Sequence, residues 1–160
     1  MIHGFFDPRS PDWPIPYVSV LVYVDGITPS WAQVNFLLDT GATTSCIHPL
    51  DSVRSLGLPV AQLATPPADW VPEISSGIGG SSSYYRHPAT YALRHDDGQW
   101  DIFGGQLRIG QITAQNTRIP SLLGWDVLQQ FQLVTNWPSR LISLERLVPP
   151  AAPVSALPNS

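Results

Sequence analysis

Asp39 stands where an apolar run stops. Asn35, Phe36, Leu37 and Leu38 lead straight into the carboxylate, and Thr40, Gly41, Ala42, Thr43 and Thr44 follow it. Ending a buried strand on a charge is expensive unless a partner satisfies that charge or chemistry uses it. The chemistry open to such a group is acid–base work, taking a proton from water or handing one to a leaving group. Gly41 allows a tight turn behind the acid and brings a backbone N–H close to its oxygens. Other reactive side chains form weaker constellations. His48, His87 and His95 share no metal-ligand spacing with Cys46, and packing or surface roles explain them. Cys46 is the only cysteine, so no intrachain disulfide forms. It follows a strand-like run without a helix start or basic neighbour, and reads as a small buried apolar residue. Ser81, Ser82 and Ser83 lack a Gly-x-Ser-x-Gly setting and an evident base. Asp126 lies near a helix start, where capping explains it. Neither a metal nor a cofactor is expected.

The elements that must hold Asp39 are short strands. Seventeen prolines and twelve glycines punctuate brief apolar runs, the texture of an all-β domain. Residues 17–24 and 31–38 read as a hairpin around a turn at 25–30. Residues 44–49 form a short strand, and 50–58 a brief helix stopped by Gly57. Residues 64–72 are irregular, and 73–76 enter a Gly-dense tip at 77–80. Residues 81–95 leave that tip as a long strand, with Tyr85, His87, Ala89, Tyr91 and Leu93 on one face at period two. Pro72 and Pro88 each remove a ladder donor and belong at an edge or tip. A turn at 96–99 leads into strands at 100–103 and 106–113. The apolar run 118–124 ends at Gly124, and Val127, Leu128 and Phe131 follow at helical spacing. Residues 132–147 close the chain as a hairpin around Trp137 and Pro138. Twice, then, a buried strand ends in Gly beside a short helix, and only the first copy carries the acid.

The 160 residues suit one domain at 17–147, between a Pro-rich, loosely attached arm at 1–16 and a Pro/Ala tail at 148–160 expected to be disordered. A domain of this size buries roughly two-thirds of its unfolded surface. The net charge of −4 gives no electrostatic reason to expect nucleic acid or an anionic membrane as partner. No stretch has the length of a membrane span, and residues 1–16 lack a secretion signal's basic-then-apolar layout, so a cytoplasmic location is expected.

The apolar-apolar-Asp39-Thr40-Gly41-Ala42 segment, the Gly-Ile-Gly-Gly hairpin at 77–80 and Leu-Leu-Gly-Trp-Asp at 122–126 together resemble the retropepsin-like aspartic proteases. Order and spacing match the one-lobe, retroviral-type subunit, and the closing run at 131–144 looks like the terminal hairpin of bacterial and retrotransposon members. The resemblance covers roughly residues 15–147. It implies an all-β, single-lobe acid-protease barrel with one or two short helices and a flap hairpin, and a metal-free endopeptidase. In that chemistry two carboxylates about 3 Å apart share one proton, because like charges so close cannot both ionise. Asp39 supplies one of them. The resemblance gives Thr40 a hydrogen bond across a dimer axis, gives Gly41 the tight turn, and places substrate against Ala42, Thr43 and the flap tip Gly77, Ile78, Gly79 and Gly80.

A second Asp-Thr-Gly or Asp-Ser-Gly is absent from the chain, and Asp25-Gly26 and Asp97-Gly98 read as hairpin tips. The expectation is therefore a homodimer with two Asp39 residues facing each other on a twofold axis, cutting an extended, mostly apolar peptide. Ala42 stands where pepsin-type enzymes carry a hydroxyl that would favour the ionised acid, so the expected optimum is mildly rather than strongly acidic. Retroviral members often pair an Asp with an Arg at the positions of Thr43 and Trp125. Both are missing together here, leaving no unpaired charge. A different reading remains open: a retropepsin-like dimerisation or peptide-binding module with little or no catalysis.

Overall fold

Valine alternation starts the fold. In β3 (Pro16–Val24) Val18, Val20, Val22 and Val24 are all buried, as branched side chains on a pleated, half-buried surface should be. β4 (Ala32–Leu38) alternates without a break, with Ala32, Val34, Phe36 and Leu38 inward and Gln33 and Asn35 outward. The two pair antiparallel from Tyr17 opposite Leu37 to Val22 opposite Ala32. At their turn Thr28 accepts the Val24 N–H through Oγ1 at 2.9 Å. The computed structural model describes residues 1–77, 80–148 and 157, and it is mostly β. Among the described residues no helix is long and apolar enough to cross a membrane.

The remaining elements follow in order. β5 (Cys46–Ile47) leads to α1 (Pro49–Arg54) and α2 (Val60–Ala64), and β6 (Pro72–Gly77) to β7 (Gly80–Arg94) and β8 (Trp100–Gly110). Then come β9 (Leu122–Leu123), α3 (Trp125–Leu128), β10 (Phe131–Asn136) and β11 (Leu141–Arg146). With β2 (Phe5–Phe6) they form one sheet in the order β2-β3-β4-β9-β5-β8-β7-β6, and an added β3–β7 pairing closes the ring. Phe36, Ile47, Tyr91, Leu107, Ile109 and Leu123 fill the inside, each essentially without exposure. β1 (Ile2–His3), β11 and β10 make a second, three-stranded sheet.

Several expectations change. Residues 1–16 are not a loose arm: β1 pairs with β11, and β2 pairs with β3. Ile2 is 1% exposed. A Cβ on Gly4 would lie 2.5 Å from the Tyr17 carbonyl and 2.6 Å from Ile142. Of the pairing residues in this stretch only Pro16, opposite Phe6, lacks a donor, and the other prolines fall in the turn between these two strands, which Asp7 stabilises by accepting from Arg9 N–H and its guanidinium. Pro88 is not at a sheet edge. β7 pairs with β8 along most of its length, while its other side passes from β6 to β3 between Tyr85 and Ala89. Its carbonyl accepts from Asp25 N–H on that side, so the missing N–H faces the junction where no ladder partner is needed. The two strands expected at 100–103 and 106–113 are one continuous β8, and α2 forms where no helix was foreseen. The tail expected to be disordered lies, apart from Val148 and Leu157, outside the described residues.

Candidate active site

β9 is wedged between β4 and β5, parallel to the first and antiparallel to the second. Leu38 therefore lies beside Leu123, and the two strand ends, Asp39 and Gly124, emerge together. The sequence echo of strand-then-Gly is a contact in space. Asp39 N–H donates to the Leu123 carbonyl at 3.1 Å, and Trp125 and Asp126 N–H donate back to the carbonyls of Ala42 and Thr43 at 2.9 and 3.2 Å. Gly124 has no room for a side chain: a Cβ there would stand 2.7 Å from the Thr44 carbonyl carbon and 2.9 Å from the Ala42 oxygen.

Within this brace Asp39 is half-buried, and Thr40, Gly41 and Thr43 are exposed, with Ala42 between. Gly41 N–H donates to Asp39 Oδ1 at 2.8 Å, the approach expected of glycine at that place. Trp125 donates from its indole Nε1 to the Thr40 carbonyl at 2.6 Å. It fixes the turn by a neutral bond and remains about half exposed beside it.

Asp126 is not the N-cap of α3, which is Gly124, although its Oδ1 accepts from the first-turn Val127 N–H at 3.0 Å. Its oxygens accept from Ser45 N–H at 2.9 Å and from Ser45 Oγ at 2.7 Å, tying the loop after the acid to the second turn. Ser45 Oγ in turn accepts from Gly124 N–H at 3.0 Å. Sequence reasoning missed this clasp because its members lie 81 residues apart. The clasp also occupies Asp126, so the cluster offers one carboxylate for chemistry, that of Asp39.

β6 and β7 pair from Pro72 opposite Tyr85 to Gly77 opposite Gly80. Ile78 and Gly79, expected at the tip, lie outside the described residues. The base of this hairpin is anchored by Tyr84, whose hydroxyl lies 2.8 Å from His48 Nε2, while His48 Nδ1 lies 2.6 Å from the Pro120 carbonyl. A carbonyl only accepts, so Nδ1 carries the hydrogen and Nε2 accepts from Tyr84. His48, 2% exposed, thus joins the hairpin to the segment entering β9.

Burial holds His48 below its ordinary value of 6.5, against the opposing pull of the Pro120 carbonyl, and burial lowers His87 likewise. Just below pH 6.5 the unfolded chain binds the proton and the folded chain does not, so stability drops as pH falls through that window. In thermal melts from about pH 7.5 to about pH 5 the Tm should decline. The decline should be shallower in His48→Gln, and equal slopes in both proteins would contradict the assignment. Burial also pushes the Cys46 thiol up to about 12, as befits an inert core residue.

Among the described residues no group of three or more His, Cys, Asp or Glu is placed to hold a metal ion. No protein-family model matches the chain, and no curated protein matches it either.

Proposed function

We propose that this chain is one subunit of a homodimeric aspartic endopeptidase built on a retropepsin-like barrel. One observation carries the reading: a single half-buried carboxylate, Asp39, begins an exposed turn that is held by its own Gly41 N–H and by backbone bonds to the Leu123–Asp126 segment. A second Asp39 across a twofold axis completes a pair that shares one proton. The ionised member takes a proton from the water between them as that water attacks the peptide carbonyl. The protonated member hydrogen-bonds the carbonyl oxygen, and a proton then passes to the amide nitrogen as the C–N bond breaks. The β6–β7 hairpin closes over the extended peptide and excludes bulk water.

The test is hydrolysis of an extended, mostly apolar peptide library across about pH 3 to pH 8, with chelator present. Turnover with an optimum at mildly acidic pH is expected, since Ala42 offers no hydroxyl to the acid. A maximum below about pH 3, under the reference value for an aspartate, contradicts the account of Ala42. Binding without turnover at every pH supports a peptide-binding module instead.

A further inference from the structure

We propose that Trp125 is a positioning residue for Asp39, acting through the single peptide group that joins Thr40 to Gly41. Its effect on catalysis rests on the endopeptidase reading, to which it adds one residue. The carbonyl of that peptide accepts the Trp125 indole N–H at 2.6 Å. The N–H at the other end of the same planar unit donates to Asp39 Oδ1 at 2.8 Å. Indole, peptide and carboxylate therefore form one chain of hydrogen bonds, in which each bond polarises the next.

That peptide needs holding. Ala42 N–H donates to the Asp39 carbonyl at 3.2 Å, which makes 39–42 a β-turn with Thr40–Gly41 as its central peptide. The two common turn types differ by a flip of the central peptide, and the flipped type needs positive φ at the third residue. Gly41 is that residue. It does not take positive φ here, yet as a glycine it reaches that region at no steric cost. A side chain in its place would crowd the acid, since a Cβ would stand 3.2 Å from Asp39 Oδ1. The residue that lets an N–H reach the carboxylate thus also frees the peptide to turn over and point its N–H away. A bond at each end opposes the flip. The hold from Asp39 varies as protons come and go on the acid, whereas the hold from Trp125 does not. The indole is also firmly mounted: Trp125 opens α3, and its own N–H donates to the Ala42 carbonyl at 2.9 Å. Trp125 remains 47% exposed, so apolar burial alone does not explain a large ring at this place.

The test removes one N–H and keeps the ring. In Trp125→benzothienylalanine, introduced into the full chain by codon suppression, sulfur replaces the indole N–H at nearly constant shape. Thr40–Gly41 is the only Thr-Gly step in the sequence. Threonine labelled with carbon-13 at the carbonyl and glycine labelled with nitrogen-15 therefore give a single correlated NMR signal from this one peptide. Loss of the bond should move the Gly41 amide proton upfield and speed its exchange by at least about threefold, the worth of one net hydrogen bond. In peptide hydrolysis kcat should fall by at least about threefold with KM within about twofold, because the acid is disturbed and substrate contacts are not. Tm should stay close to wild type. A signal that does not move overturns the relay. A moved signal with unchanged kcat, or with a loss confined to KM, overturns the positioning role. A moved signal in a protein whose wild type cuts no peptide leaves the relay standing and removes the endopeptidase reading.

Discussion

Asp39→Asn should abolish peptide hydrolysis while leaving the fold intact. Each proton-transfer role is worth about 10²–10⁴ in rate, and in a symmetric pair the substitution removes both, so a loss of at least about 10³-fold in kcat/KM is expected. Asparagine keeps a carbonyl oxygen where Oδ1 accepts from Gly41 N–H, so the turn retains its bond. Circular dichroism and Tm close to wild type would show that the loss is chemical. A variant that cleaves as fast as wild type would remove Asp39 from the mechanism.

The second large effect belongs to a residue that touches no substrate. Gly124 has ordinary backbone angles, so the case against a side chain there is space alone. The atoms a methyl group would meet are backbone atoms of Thr44 and Ala42, at 2.7 to 2.9 Å, and backbone cannot rotate aside. Gly124→Ala should cost roughly 1–3 kcal/mol, the range for overpacking a tight site. For a chain of this length that is a fall in Tm of several degrees. Activity should fall further than stability, because the displaced loop carries the acid and its N–H donor. Gly104→Ala, at an exposed β8 position with nothing within 4 Å, serves as the stability control and should leave Tm in place. Equal Tm values for the two variants would contradict the brace.

The candidate site was legible where chemistry is local. Phe36-Leu37-Leu38-Asp39-Thr40-Gly41 spells a strand, an acid and a turn in six consecutive residues, and the Gly41 N–H lies where that spelling puts it. The β3–β4 hairpin was legible for the same reason, since alternation at period two needs no knowledge of distant partners. What stayed hidden was long range. Asp126 looked like a helix cap because a short helix begins beside it, yet Ser45, 81 residues back, offers two donors in one place. His48 looked like a packing residue, yet Tyr84 and Pro120 converge on its two nitrogens from two other segments. Composition misled at the N-terminus. Most of the prolines there fall in the turn between Phe6 and Pro16, whereas Ile2, His3, Phe5 and Phe6, which carry donors, pair with β11 and with the start of β3. Pro88 misled in another way, because a strand that changes partners midway offers a proline a place inside a sheet.

The proposed mechanism needs two Asp39 side chains acting as one unit, and subunit mixing tests that most directly. Wild-type chain is exchanged with increasing Asp39→Asn at constant total concentration, and hydrolysis is followed. If a pair is needed, activity falls with the square of the wild-type fraction, because a mixed dimer holds one carboxylate and does not turn over. Activity that declines in simple proportion to the wild-type fraction would mean that each chain cuts on its own, and the paired-acid mechanism would be wrong.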